Sequence, residues 1–305
     1  MPVSDQMEDP ISSACRAAAF QWVRERTQAQ GDDVLPLQAL RDGFNFNGQR
    51  VTLVGPQGIF KPAQVRHYPL SITTTSGGPY EDDFDPDGQY LLYKYRGTDP
   101  NHHENRGLRD AMHDRVPLIY FHSTMPGRYL AVWPVYIVHD DPGHLTFTVA
   151  VDDPMQLRHP SEDADDEIRR GYVTRVTRQR IHQRTFRDRV VMAYREQCTV
   201  CRLRHINLLD AAHIVADSDP EGEPVISNGL SLCKLHHAAY DRALFAVRPD
   251  YRIEVRHDVL EEEDGPMLLH GLQEIHDSQI QLPVRVRDRP DPARLEVRYE
   301  AFRHQ

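Results

Sequence analysis

Two short cysteine knuckles constrain what the second half of this chain can fold into. Cys198-Thr-Val-Cys201 is a CxxC and Cys233-Lys-Leu-His236 is a CxxH. A two-residue gap lets one tight turn present two ligands to one ion, and zinc prefers four tetrahedral thiolate or imidazole ligands. The pairs use three of the four cysteines, which leaves Cys15 as a buried helix residue. A lone CxxC would also suit a redox motif. Two knuckles together predict one structural zinc site held by Cys198, Cys201, Cys233 and His236. The 31 residues between the pairs exceed the usual ribbon spacing, so a further segment is inserted there.

The 305 residues are 39% hydrophobic and 27% charged, a globular composition that excludes a disordered or collagen-like chain. No apolar run approaches the roughly 18–20 residues of a membrane span. The start, MPVSDQMEDP, lacks a basic region followed by an apolar core. A cytoplasmic protein with no membrane partner is expected. Four cysteines in so long a chain do not make a disulfide scaffold. The net charge of −10 argues against binding nucleic acid by bulk attraction, but leaves room for a local basic patch.

Residues 10–30 read as a helix: Pro10 suits a first turn, and Ile11, Cys15, Ala18 and Trp22 share a face. They belong to an N-terminal helical segment, residues 1–42. Short apolar runs at 51–54, 90–95, 118–121, 129–138 and 144–151 alternate with Gly, Pro and Asp turns, predicting a mostly β domain over 43–152. Prolines and acids mark 153–166 as a linker. Ile168, Tyr172, Val176, Phe186, Val190 and Tyr194 then form an approximate helical stripe, predicting a long helix over 167–197. It opens a domain over 167–255, followed by a C-terminal extension, 256–305, with no legible chemistry.

The basic residues are 33 Arg and only 3 Lys (Lys61, Lys94 and Lys234). GC-rich coding explains an overall excess of Arg. Eight Arg and one acid, Asp188, between 169 and 189 are a different matter, because like charges so close repel one another. The alternatives are a solvated face and a phosphate-contacting helix. The second is favoured here, with Arg178, Arg180 and Arg184 as candidate contacts.

The segment between the knuckles contains Leu208-Leu209-Asp210-Ala211-Ala212-His213-Ile214 and then Asn228-Gly229-Leu230, while His237 directly follows the ligand His236. His213 and Asn228 are 15 residues apart, and Asn228 and His237 are 9 apart. Phosphodiester hydrolysis needs a base to activate water and a cation to stabilise developing charge. Neutral imidazole takes a proton near pH 7, which makes His213, on a strand, the candidate base. The knuckles, AAHI, NGL and the His pair together, over residues 185–245, resemble the HNH endonucleases, a ββα-metal nuclease family. The resemblance implies that Asn228 orients the His213 imidazole and that His237, on the next helix, ligates one divalent ion. Many members place a second ligand immediately before the base, where this chain has Ala212. Asp210, three before His213, falls on the strand face opposite the base and can replace that ligand. Asp241, one helical turn after His237, is the reserve. Such an open site suits Mg²⁺, Mn²⁺ or a similar ion more than a second closed zinc.

The β domain contains Ser76-Gly77-Gly78-Pro79-Tyr80-Glu81-Asp82-Asp83-Phe84-Asp85, then Gly88-Gln89-Tyr90-Leu91-Leu92-Tyr93. Gly58-Ile59-Phe60-Lys61-Pro62 lies upstream and Val116-Pro117-Leu118 downstream. Over 43–150 this resembles the SRA domains, which bind DNA and hold a flipped 5-methylcytosine. The resemblance implies that Asp83 accepts from the cytosine amine. Pro79 interrupts the family's GGY run and one extra residue precedes Tyr93, so Asp82 is the alternative acceptor. A base taken out of the stack needs aromatic faces, which Tyr80 and Tyr93 could supply, and acceptors for its amino group. A solvated acidic loop is the plain alternative for residues 81–87.

The chain is thus expected to be α+β, with a mostly β SRA-like (PUA-type barrel) domain and a ββα-metal HNH domain with structural zinc. The two resemblances together imply a modification-dependent restriction endonuclease of SRA-HNH type. It would act on double-stranded DNA containing 5-methylcytosine, with 5-hydroxymethylcytosine left open. A double-strand break would need two copies, so a homodimer is expected. The rival readings are an HNH nuclease whose β domain reads sequence or another modification, and a non-catalytic reader of modified DNA.

Overall fold

The computed structural model describes residues 8–30, 33–74, 83–84, 90–152, 164–217, 219–220, 222–263 and 265–304. The chain divides into two compact units, residues 1–181 and 182–305.

In the first unit, helix α1 (Pro10–Gln30) starts where the Asp9 carboxylate accepts from the backbone N–H groups of Ile11 and Ser12, each at 3.2 Å. That satisfies donors that the first turn leaves without partners. Cys15, Ala19, Phe20 and Val23 are buried along the helix. Arg16 is buried with them because its guanidinium donates to the Pro69 and Pro117 carbonyls, at 2.9 and 3.0 Å, and pairs with Glu8 at 2.8 Å. Strand β1 (Val34–Pro36), helix α2 (Leu37–Asp42) and the hairpin of β2 (Phe44–Phe46) and β3 (Gln49–Val51) follow.

The main sheet is built from β4 (Ile59–Phe60), β5 (Ser71–Thr73), β6 (Asp83–Phe84), β7 (Leu91–Lys94), β8 (Leu118–Met125), β9 (Arg128–Asp141) and β10 (Thr146–Val151). Helix α3 (His103–His113) joins β7 to β8. The strand order is β4-β5-β8-β9-β10-β7-β6, with β1 also on β9, and β5 runs parallel to β8. The sheet curls into a half-barrel; closure into the expected PUA-type barrel is not seen among the described strands. Period-two alternation builds two cores from the same strands. Leu118, Tyr120, Leu130 and Val132 pack with Phe147 and Val149, while Ile119, Phe121, Tyr129 and Ala131 pack with Ala19, Phe20 and Val23 of α1.

Helix α4 (Ala164–Ala193) contributes Ile181 to the first unit's core and Phe186, Val190 and Val191 to the second's. In the second unit β11 (Leu209–His213) and β12 (Gly229–Cys233) form an antiparallel pair, and α5 (Lys234–Asp241) leaves directly from β12. This is the ββα unit expected from the sequence. A second pair, β13 (Phe245–Val247) and β14 (Ile253–Val255), follows. Then come α6 (His257–Glu261), α7 (Pro266–Leu268) running into a π-helical turn over Leu269–Gln273, and α8 (Pro292–Arg303). Asp291 caps α8 by accepting from Ala293 N–H at 2.9 Å, and Arg298 of α8 lies 4.9 Å over the Tyr240 ring. No helix among the described residues is long and apolar enough to cross a membrane.

Candidate active site

The knuckles meet as the spacing predicts. One ligand atom from each of Cys198, Cys201, Cys233 and His236 lies within 4.8 Å of the others. A tetrahedral zinc with bonds of about 2.3 Å to sulfur and about 2.0 Å to nitrogen spans S···S edges of about 3.8 Å and S···N edges of about 3.5 Å. The Cys201 and Cys233 sulfurs are 3.8 Å apart, and Cys198 Sγ is 3.6 Å from His236 Nδ1. The cluster therefore has the donor set of a zinc site and two edges of its length, while the Cys233 Sγ–His236 Nδ1 edge, 3.1 Å, is shorter. Burial acts to lower the His236 imidazole, but hydrogen bonds with Cys201 and Cys233 reverse this and raise it to about 10.

The first knuckle is held by its surroundings. Cys198 N–H donates to Leu203 O at 2.9 Å, and Thr199 N–H donates to Ser231 O on β12 at 2.7 Å. The C-terminal residues contribute what the sequence did not disclose. His236 Nε2 lies 2.8 Å from the Gly271 carbonyl, and Thr199 Oγ1 donates to Gln281 O at 2.6 Å. Donation from Nε2–H fixes the tautomer that leaves Nδ1 free for the metal. No residue-type pattern marks a glycine carbonyl as such a partner.

His213 ends β11, paired in register with Gly229. Its ring stacks on Phe186 of α4, with centroids 4.0 Å apart and planes at 15°. Its Nε2 is buried and has no hydrogen-bond partner among the described residues. Burial lowers the His213 pKa below its ordinary value, and His237 adds to this against the opposing Asp217 and Asp241. The imidazole is therefore held neutral.

Asn228 is fully buried. Its carboxamide accepts from Val215 N–H at 2.9 Å and donates to the Val215 and Glu223 carbonyls, both at 3.0 Å. Its own carbonyl accepts from Ile214 N–H at 2.9 Å. Asn228 thus clamps the backbone that leaves His213, and these bonds act on that candidate base through the main chain. Gly229 permits close packing: a Cβ there would lie 2.5 Å from Val190 Cγ2 and 2.9 Å from Phe186 Cζ.

Asp210 and His237 come together across β11 and α5. Asp210 Oδ2 is 3.6 Å from His237 Nδ1, and His237 Nε2 is 3.3 Å from Asp241 Oδ2. Two ligands at about 2.1 Å from one ion stand roughly 3–3.6 Å apart, so either carboxylate can share an ion with His237. Asp210 is also gripped by Lys234, whose Nζ donates to Oδ2 at 2.8 Å, and Arg187 Nε lies 3.8 Å from Oδ1. Burial acts to raise Asp210, but the bonds with His237 and Lys234 hold it well below the usual carboxylate range. The bond with Asp210 raises His237, against the effect of burial.

On α4, Arg180 pairs with Asp33, while Arg178 and Arg184 are partly buried. Arg187 serves the fold: it donates to the Ile206 and Leu209 carbonyls at 2.9 Å and pairs with buried Asp188.

In the first unit Tyr93 and Gly58 line one cavity of about 560 Å³, together with Thr73, Thr74, Arg96 and His102. Tyr93 OH donates to Thr73 O at 3.3 Å, and a Cβ on Gly58 would lie 2.8 Å from that hydroxyl. Tyr80 and Asp82 lie outside the described residues. Asp83 pairs with Leu92 through the backbone, and its side chain is outside the description.

The HNH endonuclease family matches residues 198–248, which span both knuckles, β11, β12 and α5. No curated protein matches the chain. Among solved structures, a "Modification dependent TagI restriction endonuclease" is 16% identical, with a TM-score of 0.27, covering 77% of this chain and 82% of that one. The "Type IV phosphorothioation-dependent restriction endonuclease ScoMcrA" is 14% identical, with a TM-score of 0.29, covering 77% of this chain and 63% of that one. Similarity at that level carries no weight for fold or substrate.

Proposed function

We propose that this chain, with its HNH endonuclease domain, is a divalent-metal-dependent DNA endonuclease that cuts duplexes containing modified cytosine. The observation that supports the nuclease half is the approach of Asp210 to His237 on a ββα unit whose first strand ends in His213, beside a Cys3His cluster. Asp210 and His237 would hold the divalent ion, and the Cys3His cluster would hold structural zinc. The divalent ion, when bound, supplies Lewis-acid stabilisation of the leaving oxygen and the charged phosphorane.

The remaining chemistry falls to side chains. His213 is neutral, so it can accept the proton of the attacking water at a ring nitrogen. The unpartnered Nε2 supports this: leaving a buried acceptor unsatisfied costs about 1–3 kcal/mol unless a water or substrate group fills the place. Phe186 fixes the ring plane by stacking. Asn228 fixes the chain on the far side of the base. Arg178, Arg180 and Arg184 of α4 would contact phosphates.

The recognition half rests on the cavity at Tyr93 and on the SRA-like motif. A flipped base would enter that cavity, with Tyr93 and Tyr80 as aromatic faces and Asp83 or Asp82 as acceptor for its amino group. One HNH site cuts one strand, so a double-strand break would use two copies, assembled as a homodimer. The test is selective cleavage. A methylated duplex should be cut with Mg²⁺ or Mn²⁺ and spared with EDTA, while its unmethylated twin is spared throughout. Equal cutting of both duplexes would remove the recognition half and keep the nuclease.

A further inference from the structure

Lys234 is the first residue of α5 and one of only 3 lysines beside 33 arginines. Its side chain is 59% exposed, yet its ammonium is committed to Asp210 Oδ2 at 2.8 Å. That same oxygen lies 3.6 Å from His237 Nδ1. The ammonium therefore sits at the carboxylate oxygen that a divalent ion shared with His237 would use.

We propose that Lys234 is a phosphate-binding residue that holds the Asp210 carboxylate until a divalent ion displaces it. The inference rests on Asp210 and His237 being the ligands of that ion. An ammonium and a dication on one carboxylate oxygen repel each other strongly, since two charges a few ångströms apart interact by kcal/mol even in water. Metal binding thus breaks the Lys234–Asp210 pair. The four-carbon stem is long and largely exposed, so the ammonium can swing away without disturbing the fold. Asp210 does not lose its anchoring, because Oδ1 still accepts from Ala211 N–H at 3.0 Å and faces Arg187. The freed ammonium lies beside the ion, which is where the substrate phosphate has to sit. Lysine suits this exchange better than arginine. It engages a carboxylate as a compact point charge, whereas arginine forms a bidentate fork that is harder to displace.

The pair therefore sets two affinities in opposite directions. It lowers the affinity of the free protein for metal and raises the affinity of the loaded protein for DNA. A purely structural ion pair would do neither. The test uses the zinc-loaded full chain and measures Mn²⁺ binding by electron paramagnetic resonance, without DNA. Lys234→Met should tighten Mn²⁺ binding by about tenfold. It should also weaken DNA binding in Ca²⁺ and reduce the salt slope by about one. Lys234→Arg should show no gain in Mn²⁺ affinity. Melting curves of both variants check that the fold is intact. Unchanged or weaker Mn²⁺ binding by a folded Lys234→Met protein would overturn the proposal. Asp210→Asn separates the two layers. If it abolishes Mn²⁺ binding while Lys234→Met has no effect, the lysine inference alone fails. If Asp210→Asn binds Mn²⁺ normally, the ligand assignment fails and the lysine inference falls with it.

Discussion

Replacing Gly229 by alanine adds one methyl group at a crowded point of the proposed nuclease site. Gly229 has φ −133° and ψ 143°, an extended conformation open to any residue, so backbone strain plays no part. The cost is contact. The new Cβ would stand 2.5 Å from Val190 Cγ2, 2.9 Å from Phe186 Cζ and 3.2 Å from Phe186 Cε2. Val190 and Phe186 are both buried, so neither can swing into solvent. Forcing one methyl into a filled core costs about 1–3 kcal/mol. For a unit of this size that corresponds to a melting midpoint lower by roughly 5–10 °C. Because Phe186 stacks on His213, its displacement also moves the base, and single-turnover cleavage should slow by about tenfold. The change Val190→Ala removes the nearest atom and supplies the missing space. The double variant should therefore melt higher than the sum of the two single losses predicts. A Gly229→Ala protein that melts like the wild type, or strictly additive losses in the double variant, would refute the packing argument.

Other perturbations address the chemistry. His213→Ala should lower the cleavage rate by about 10²–10⁴-fold while zinc content and DNA binding persist. Survival of cutting would remove His213 as the base. The acidic limb of the wild-type kcat/KM profile should fall below the ordinary histidine value of 6.5. Burial lowers the His213 pKa, so the active neutral form persists as pH drops through 6.5 and is lost only further down. A limb above 6.5 would contradict that assignment. Cys198→Ser should lose zinc and melt earlier, since structural zinc contributes folding free energy directly; an unchanged melt with zinc retained would sink the cluster reading. Tyr93→Ala should weaken binding to methylated duplex more than to plain duplex. Equal weakening would mean that Tyr93 supports the wall between Gly58 and Thr73 without contacting a base.

The features that could be read from the chain are those whose physics is local. A CxxC and a CxxH fix their own turn geometry, and the four ligand atoms converge as the spacing requires. Helix α1 spans the expected residues Pro10–Gln30, but its buried face runs through Cys15, Ala19, Phe20 and Val23, while Ile11 of the expected face is 57% exposed. Helix α3 was not foreseen. Gly107 interrupts its pattern, and its N-cap is His102, an unusual residue for that role. What holds its start is tertiary, since the buried Asn105 bonds to Arg96 N–H and to the Arg96 and Asp99 carbonyls. The parallel pairing of β5 with β8 joins segments far apart in sequence, which no local pattern encodes. The tail offered no chemistry by residue type, yet the Gly271 carbonyl faces His236. Asn228 stood out in the NGL motif, but the direction of its amide depends on where the loop at Val215 and Glu223 returns.

The proposed enzyme joins a metal-dependent cutting site to a pocket for modified cytosine in one chain. The most direct measurement is cleavage of two duplexes identical except for 5-methylcytosine, each with Mg²⁺ or Mn²⁺ and with EDTA. The methylated duplex alone should be cut, and only with metal. Metal-independent cutting would contradict the nuclease assignment. Retention of the methylated duplex in a gel shift, with no cleavage under any metal, would replace the endonuclease with a reader of modified DNA.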